Sequence, residues 1–166
     1  MALIITTEVI TKAPTDHHYD PKQITPHLDF AEDKWVRSFL GNTYFDSLVT
    51  AAGGNGGATL AGADATLWTE HLHSICSYAV ILESIPYVAT KVTSAGVMKN
   101  FTSNSASASG GEINELQKSM ISRLKQMMKI ADDWLIDTDR SANYPDYLGN
   151  VDAVNNLQHN FGILGL

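Results

Sequence analysis

Six histidines, one cysteine and eighteen acidic side chains are the groups from which this 166-residue sequence could build a reactive site. A metal held from one helix needs ligands three or four residues apart, because only those side chains share a face. His71 and His73 stand two apart and diverge, and Glu70 beside them does not complete an H-E-x-x-H arrangement. Asp16, His17 and His18 are loop neighbours with no distant ligand to complete a set. A small helical metal-binding protein or enzyme is the alternative reading, and it would have to use His71 or the His17–His18 pair. Nucleophilic chemistry is no better served. Cys76 falls inside an apolar helix, where nothing lowers a thiol pKa and a buried, inert group is expected. No G-x-S-x-G elbow is present. The adjacent carboxylates Glu32–Asp33 and Asp132–Asp133 diverge by about 100° on a helix and read as solvated faces. The expectation is a protein with no catalytic residue, no metal and no cofactor.

The elements that would position these groups are mainly helices. Over residues 24–40, Thr25 is a candidate N-cap, Pro26 suits the first helical position, and Leu28, Trp35 and Phe39 form one apolar stripe. Glu32 and Asp33 lie toward the positive end of that helix and Arg37 toward the negative end. Gly41 is suited to a left-handed turn, after which Thr43 can cap a short helix carrying Tyr44, Phe45, Leu48 and Val49. A third helix begins at Asp64 or Thr66, with Trp68, Leu72, Ile75, Ala79 and Leu82 on one seam. Pro86 should end or kink it near Ser84, leaving 87–92 as a further turn or an extended piece. A fourth and longest helix spans about 112–137, with Leu116, Met120, Leu124, Met127, Ala131 and Trp134 facing the third.

Between the helices the chain is irregular. The predicted fold class is a small helical bundle of about four helices, two of them long, with an irregular loop or short β-hairpin insertion. It is one domain over residues 1–166, with an extended N-terminal arm over 1–23 and a C-terminal tail over 140–166. Residues 3–10 are β-branched and partly alternating, which predicts a strand or extended arm. Five glycines between Gly53 and Gly62 lack the Gly-Lys-Ser/Thr of a phosphate loop and predict a mobile surface loop. Val97, Met98 and Phe101 suit a short strand or a docking loop, and the small polar run 103–111 behind them has little to bury. Phe161, Ile163, Leu164 and Leu166 make an apolar tail that must be tucked into its own core or a neighbour.

Composition narrows the class of partner. Charged residues make up 17% of the chain, below the usual quarter or so, so Ser, Thr, Asn and Gly must cover much of the surface. A formal net charge of −7 without a basic block argues against gripping phosphates, but suits a wall past which DNA slides. The opening MALIITTEV lacks the basic start and cleavage site of a signal peptide, and no run approaches a membrane span. A protein made in a cytoplasm, with no membrane partner, is expected.

One resemblance covers about a quarter of the chain in residues and most of it in element order. Ile24, Pro26, Leu28, Ala31, Glu32, Leu40, Gly41, Tyr44 and Leu48 form a pattern of A-E-x-x-aromatic, then L-G, then a tyrosine-bearing short helix. It resembles the head-tail connector proteins (adaptor, or head completion) of tailed bacteriophages. The resemblance implies a structural subunit of a ring, usually of twelve copies, below the portal vertex of the capsid. Its partners would be the portal protein, stopper or tail proteins, and double-stranded DNA passing through the lumen without sequence recognition. It implies assembly in the host cytoplasm and residence in the virion neck. Val97, Met98, Lys99 and Phe101, together with Phe161, Ile163, Leu164 and Leu166, would be its interface residues. Pro26, Leu28, Glu32, Trp35, Phe39, Gly41 and Tyr44 would form its core motif. Stoppers and tail terminators are further neck components of similar size, usually β-rich.

Overall fold

Local hydrogen bonding decides where the chain turns helical. In the computed structural model, which describes residues 2–12, 20–93, 96–99, 110–137, 141–144 and 147, helix α1 (Thr6–Lys12) replaces the expected strand. Glu8 reaches back to accept the Ile5 amide at 3.0 Å while the Glu8 amide donates to the Ile5 carbonyl at 3.0 Å. That reciprocal cap outweighs the β preference of the flanking residues. Leu3, Ile4 and Val9 are fully buried, so the described part of the expected N-terminal arm belongs to the core.

Helix α2 (residues 21–40) starts one turn earlier than the Thr25 cap predicts. Asp20 accepts the Lys22 amide at 2.9 Å, and Pro21 takes the first position. Thr25 instead donates its hydroxyl to the Pro21 carbonyl at 2.8 Å, and a 3₁₀ turn over Thr25–His27 accommodates Pro26. From Glu32–Arg37 the helix widens into a π segment, so Glu32, Trp35 and Val36 all face inward. It stops at Gly41, whose φ of +81° lies where side-chain-bearing residues are strained. Helix α3 (Asn42–Ala52) follows, burying Tyr44, Phe45 and Leu48.

Helix α4 (residues 62–89) is the centre of the molecule, packed against α1, α2 and the last long helix, α5 (Gly110–Leu135). The predicted seam of Trp68, Leu72, Ile75, Ala79 and Leu82 is buried, and so are Cys76, Tyr78, Val80 and Ile81. A helix apolar on every side is one surrounded by others. It contains a second π segment at Trp68–Leu72. It does not end at Ser84 but runs through Pro86 to Ala89, the further turn expected there, before the chain becomes extended at Thr90. The proline sits one turn from the end, where few backbone bonds remain to be lost, and Ser84 donates to the Ile81 carbonyl at 2.8 Å.

An antiparallel hairpin follows, β1 (Thr90–Thr93) and β2 (Gly96–Lys99), with Lys91 opposite Met98 and Val92 opposite Val97. In α5, 26 residues or about 39 Å long, Met120, Leu124, Met128, Ala131, Asp132 and Leu135 face inward. The stripe is rotated from the one expected: Leu116 is 51% exposed, and Met127 and Trp134 are half-buried. The fold is thus the expected mainly α bundle with a hairpin insertion. Among the described residues, no helix is long and apolar enough to cross a membrane.

Candidate functional site

Three groups of side chains stand out, and the first lies beneath α1. Glu32, on the π segment of α2, is 2% exposed, and its two carboxylate oxygens accept the amides of Leu3 at 2.7 Å and Ile4 at 2.5 Å. Burial pushes its pKa up from 4.5 to about 7, against the two amide bonds, with the charges of Asp29 and Asp33 adding to the rise. Glu8 is held in a similar way from the other side. Besides the Ile5 amide it accepts the Ala58 amide at 2.8 Å, which ties the glycine-rich loop to α1. His73 completes the layer: its Nε2–H donates to the Glu8 carbonyl at 2.8 Å, and its ring stacks on Trp68 at 5.1 Å and 12°. Cys76 is wholly buried nearby, its thiol pKa raised by burial and then by the charges of Glu32 and Glu8.

The expected mobile glycine loop is therefore docked. Gly56 and Gly57 are buried, and a Cβ on Gly57 would lie 2.3 Å from the Trp68 indole. The close approach of backbone to ring is what requires glycine there. The carboxylate pairs read as solvated are split in the same manner, Glu32 and Asp132 buried while Asp33 and Asp133 face solvent. Asp132 accepts the hydroxyl of Tyr147.

That bond belongs to the second group, an aromatic cluster fastening the segment after α5. Tyr147 lies 6.1 Å from Phe39 and 6.2 Å from Tyr44 between ring centroids. Tyr144 packs on Trp134 at 5.4 Å and donates its hydroxyl to the Ala63 carbonyl at 2.9 Å. Tyr44 donates to Asp64 at 2.9 Å. His71 turns to Trp134, at 4.9 Å, and so points away from His73. Among the described residues, no three His, Cys, Asp or Glu side chains converge as metal ligands; His17 and His18 lie outside those residues.

The third feature is a cleft of about 620 Å³ between α2, α4 and α5. Trp35, Leu82, Pro86 and Ile121 give it an apolar lining, and Lys34, Lys118 and Lys125 stand around it with Glu83. Glu83 accepts from Lys34 Nζ at 2.7 Å and from the Trp35 indole at 2.8 Å. The predicted interface residues fall into two sets. Val97, Met98 and Lys99 are on β2, whereas Phe101 and the tail residues Phe161, Ile163, Leu164 and Leu166 lie outside the described residues.

The model of the family of unknown function DUF6712 matches residues 36–155, well over half of the chain. The chain belongs to that family. No curated protein matches it, and no solved structure does. The DUF6712 region runs from the end of α2 through the hairpin and α5 and contains Phe39, Gly41, Tyr44, Asp132 and Tyr147. Pro26, Leu28, Glu32 and Trp35 precede it. The aromatic cluster and two walls of the cleft thus lie within the matched region, while the Glu32 contact with the N-terminal segment lies outside it.

Proposed function

We infer that this DUF6712 protein is a structural, non-enzymatic subunit of a head-tail connector ring in a tailed bacteriophage. Such a ring, of about twelve copies as the resemblance implies, binds the portal at the capsid vertex and joins it to stopper or tail proteins. The observation that carries this reading is the order of elements. Short helices, a glycine-rich loop, a long helix, an insertion (here a hairpin) and a second long helix follow one another along this chain, and an order of that kind is what the resemblance implies. The use made of polar groups supports it. Glu8, Glu32, Asp132 and His73 are each spent on holding the fold's own backbone or tyrosines.

In this reading β2, with Val97, Met98 and Lys99, is a contact surface toward the portal or a neighbouring subunit, together with Phe101 and the apolar tail. The acidic balance lets DNA pass through the lumen without adhering. Electron microscopy of particles from the virus that encodes the chain tests the proposal. A label on the chain is expected at the neck, between capsid and tail. Its absence from intact particles, or its presence only inside the capsid, would overturn the reading.

A further inference from the structure

Asn55 is the one asparagine in the chain followed by glycine. It stands exposed in the loop after α3, whereas Gly56 and Gly57 behind it are buried. The backbone around it is fixed. The Asn55 amide donates to the Ala52 carbonyl at 3.1 Å, and the Gly56 carbonyl accepts the Thr59 amide at 3.2 Å and the Thr59 hydroxyl at 2.7 Å. Among the described residues, neither the Asn55 side-chain amide nor the Gly56 N–H takes part in a hydrogen bond. These are the two groups that react when an asparagine closes on the nitrogen that follows it. Glycine presents that nitrogen with no Cβ beside it to obstruct the approach.

We propose that Asn55 deamidates in the folded chain, and that the product releases the glycine loop from α1 and Trp68. The Gly56 nitrogen, after giving its proton to hydroxide, attacks Cγ of Asn55. The N–Cγ bond forms, the Cγ–Nδ2 bond breaks, and Nδ2 leaves as ammonia with a proton taken from water. Water then opens the cyclic imide on either side of the ring nitrogen. Opening at Cγ gives aspartate on the original backbone. Opening at the other carbonyl gives isoaspartate, with the main chain running through Cγ. Water is consumed, ammonia is released and nothing is oxidised.

Both products disturb what seats the loop. A Cβ at Gly56 would lie 2.6 Å from a Glu8 carboxylate oxygen, so that carboxylate rests against the residue next to the reacting side chain. Aspartate at position 55 adds a negative charge near the same Glu8 that accepts the Ala58 amide. Isoaspartate lengthens the main chain by a methylene just before Gly56 and Gly57. There the Trp68 ring leaves no room even for a methyl on Gly57.

Peptide mapping by mass spectrometry, with an isoaspartate-specific methylation assay, tests this on the full chain kept folded at neutral and at mildly alkaline pH. Peptides holding Asn55 are expected to gain the mass that replaces NH2 by OH, and faster at the higher pH, because the attacking nitrogen must lose its proton. Those holding Asn42 and Asn114 should keep their mass. Asn55→Gln, whose longer side chain closes poorly on the next nitrogen, should stay unmodified. In hydrogen exchange, residues 53–60 of the converted chain should lose about tenfold in protection while residues 73–85 of α4 hold theirs. Conversion seen only in chain unfolded by guanidinium would overturn the proposal. So would a rate that climbs in step with the unfolded fraction in low urea, or a converted loop that exchanges as slowly as the original.

Discussion

The Glu32 carboxylate accepts the amide of Leu3 at 2.7 Å, across 29 residues of sequence and inside the apolar core. With the Ile4 amide on its other oxygen, this single side chain holds two backbone donors that would otherwise be buried without acceptors. Glu32→Ala should therefore destabilise the chain by about 2 to 5 kcal/mol, the range for orphaning buried polar partners. Glu32→Gln keeps one acceptor oxygen and should cost less. Urea denaturation of the two variants beside the unaltered chain reads the difference. Equal stability of all three would show that the N-terminal segment does not depend on this carboxylate.

The same group makes stability depend on pH. In the unfolded chain Glu32 titrates near its ordinary 4.5, and in the fold near 7. Below the lower value it is protonated in both states, and its contribution is complete. Between the two, the unfolded chain has released a proton that the fold retains, so stability falls as pH rises, by up to about 1.4 kcal/mol per unit. Above about 7 the loss is complete and this contribution is flat. Measured from pH 4 to 8, the stability of the unaltered chain relative to Glu32→Gln should decline by roughly 3 kcal/mol. A constant difference, or one that grows with pH, would refute the assignment.

Much of this fold is written in spacing. The buried seam from Trp68 to Leu82, the turn at Gly41 and the long α5 follow from periodicity and from a glycine free to take positive φ. The two buried carboxylates are legible in their register, though not in their charge. Glu32 lies four residues after Leu28 and three before Trp35; Asp132 lies four after Met128 and three before Leu135. Each therefore continues an apolar stripe. What the spacing does not show is the partner. The Leu3 and Ile4 amides and the Tyr147 hydroxyl come from distant segments, and only the assembled fold brings them in. The glycine loop looks mobile in the sequence for the same reason, because its fixing points, Glu8 and Trp68, are remote in sequence.

At that loop, Gly57→Ala should be costly although alanine is ordinarily the easier residue to order. The added methyl would meet the Trp68 ring at 2.3 Å, which forces the indole or the loop to move. Overpacking of this kind costs about 1 to 3 kcal/mol. Since Trp68 also stacks on His73, the displaced ring should loosen the bond from His73 to Glu8. Thermal unfolding should show the drop, and tryptophan fluorescence the altered setting of the indole. An unshifted Tm would indicate that the loop is not seated on Trp68.

Tyr147 makes a parallel test at the other end of the core. Tyr147→Phe keeps the ring against Phe39 and Tyr44 but leaves Asp132 without the hydroxyl it accepts. The loss should be about 1 to 3 kcal/mol. Asp132→Asn retains an acceptor and should be milder. If both changes are neutral, the segment after α5 is held by ring packing alone.

Cys76 closes the set with a chemical readout. Its thiol is fully buried on α4, and burial together with the charges of Glu32 and Glu8 raises its pKa well above the usual value. Since the thiolate is the nucleophile, both access and ionisation work against reaction. The native chain at pH 8 should leave a disulfide reagent such as dithiobis(nitrobenzoate) almost untouched, and should react with one equivalent once unfolded in guanidinium. Glu32→Ala, by loosening the N-terminal segment over this region, should speed labelling in proportion to the fraction of molecules that open. Rapid labelling of the unaltered native chain would mean that the layer formed by α1, α2 and α4 is open at Cys76, and would contradict the burial on which the Glu32 predictions also rest.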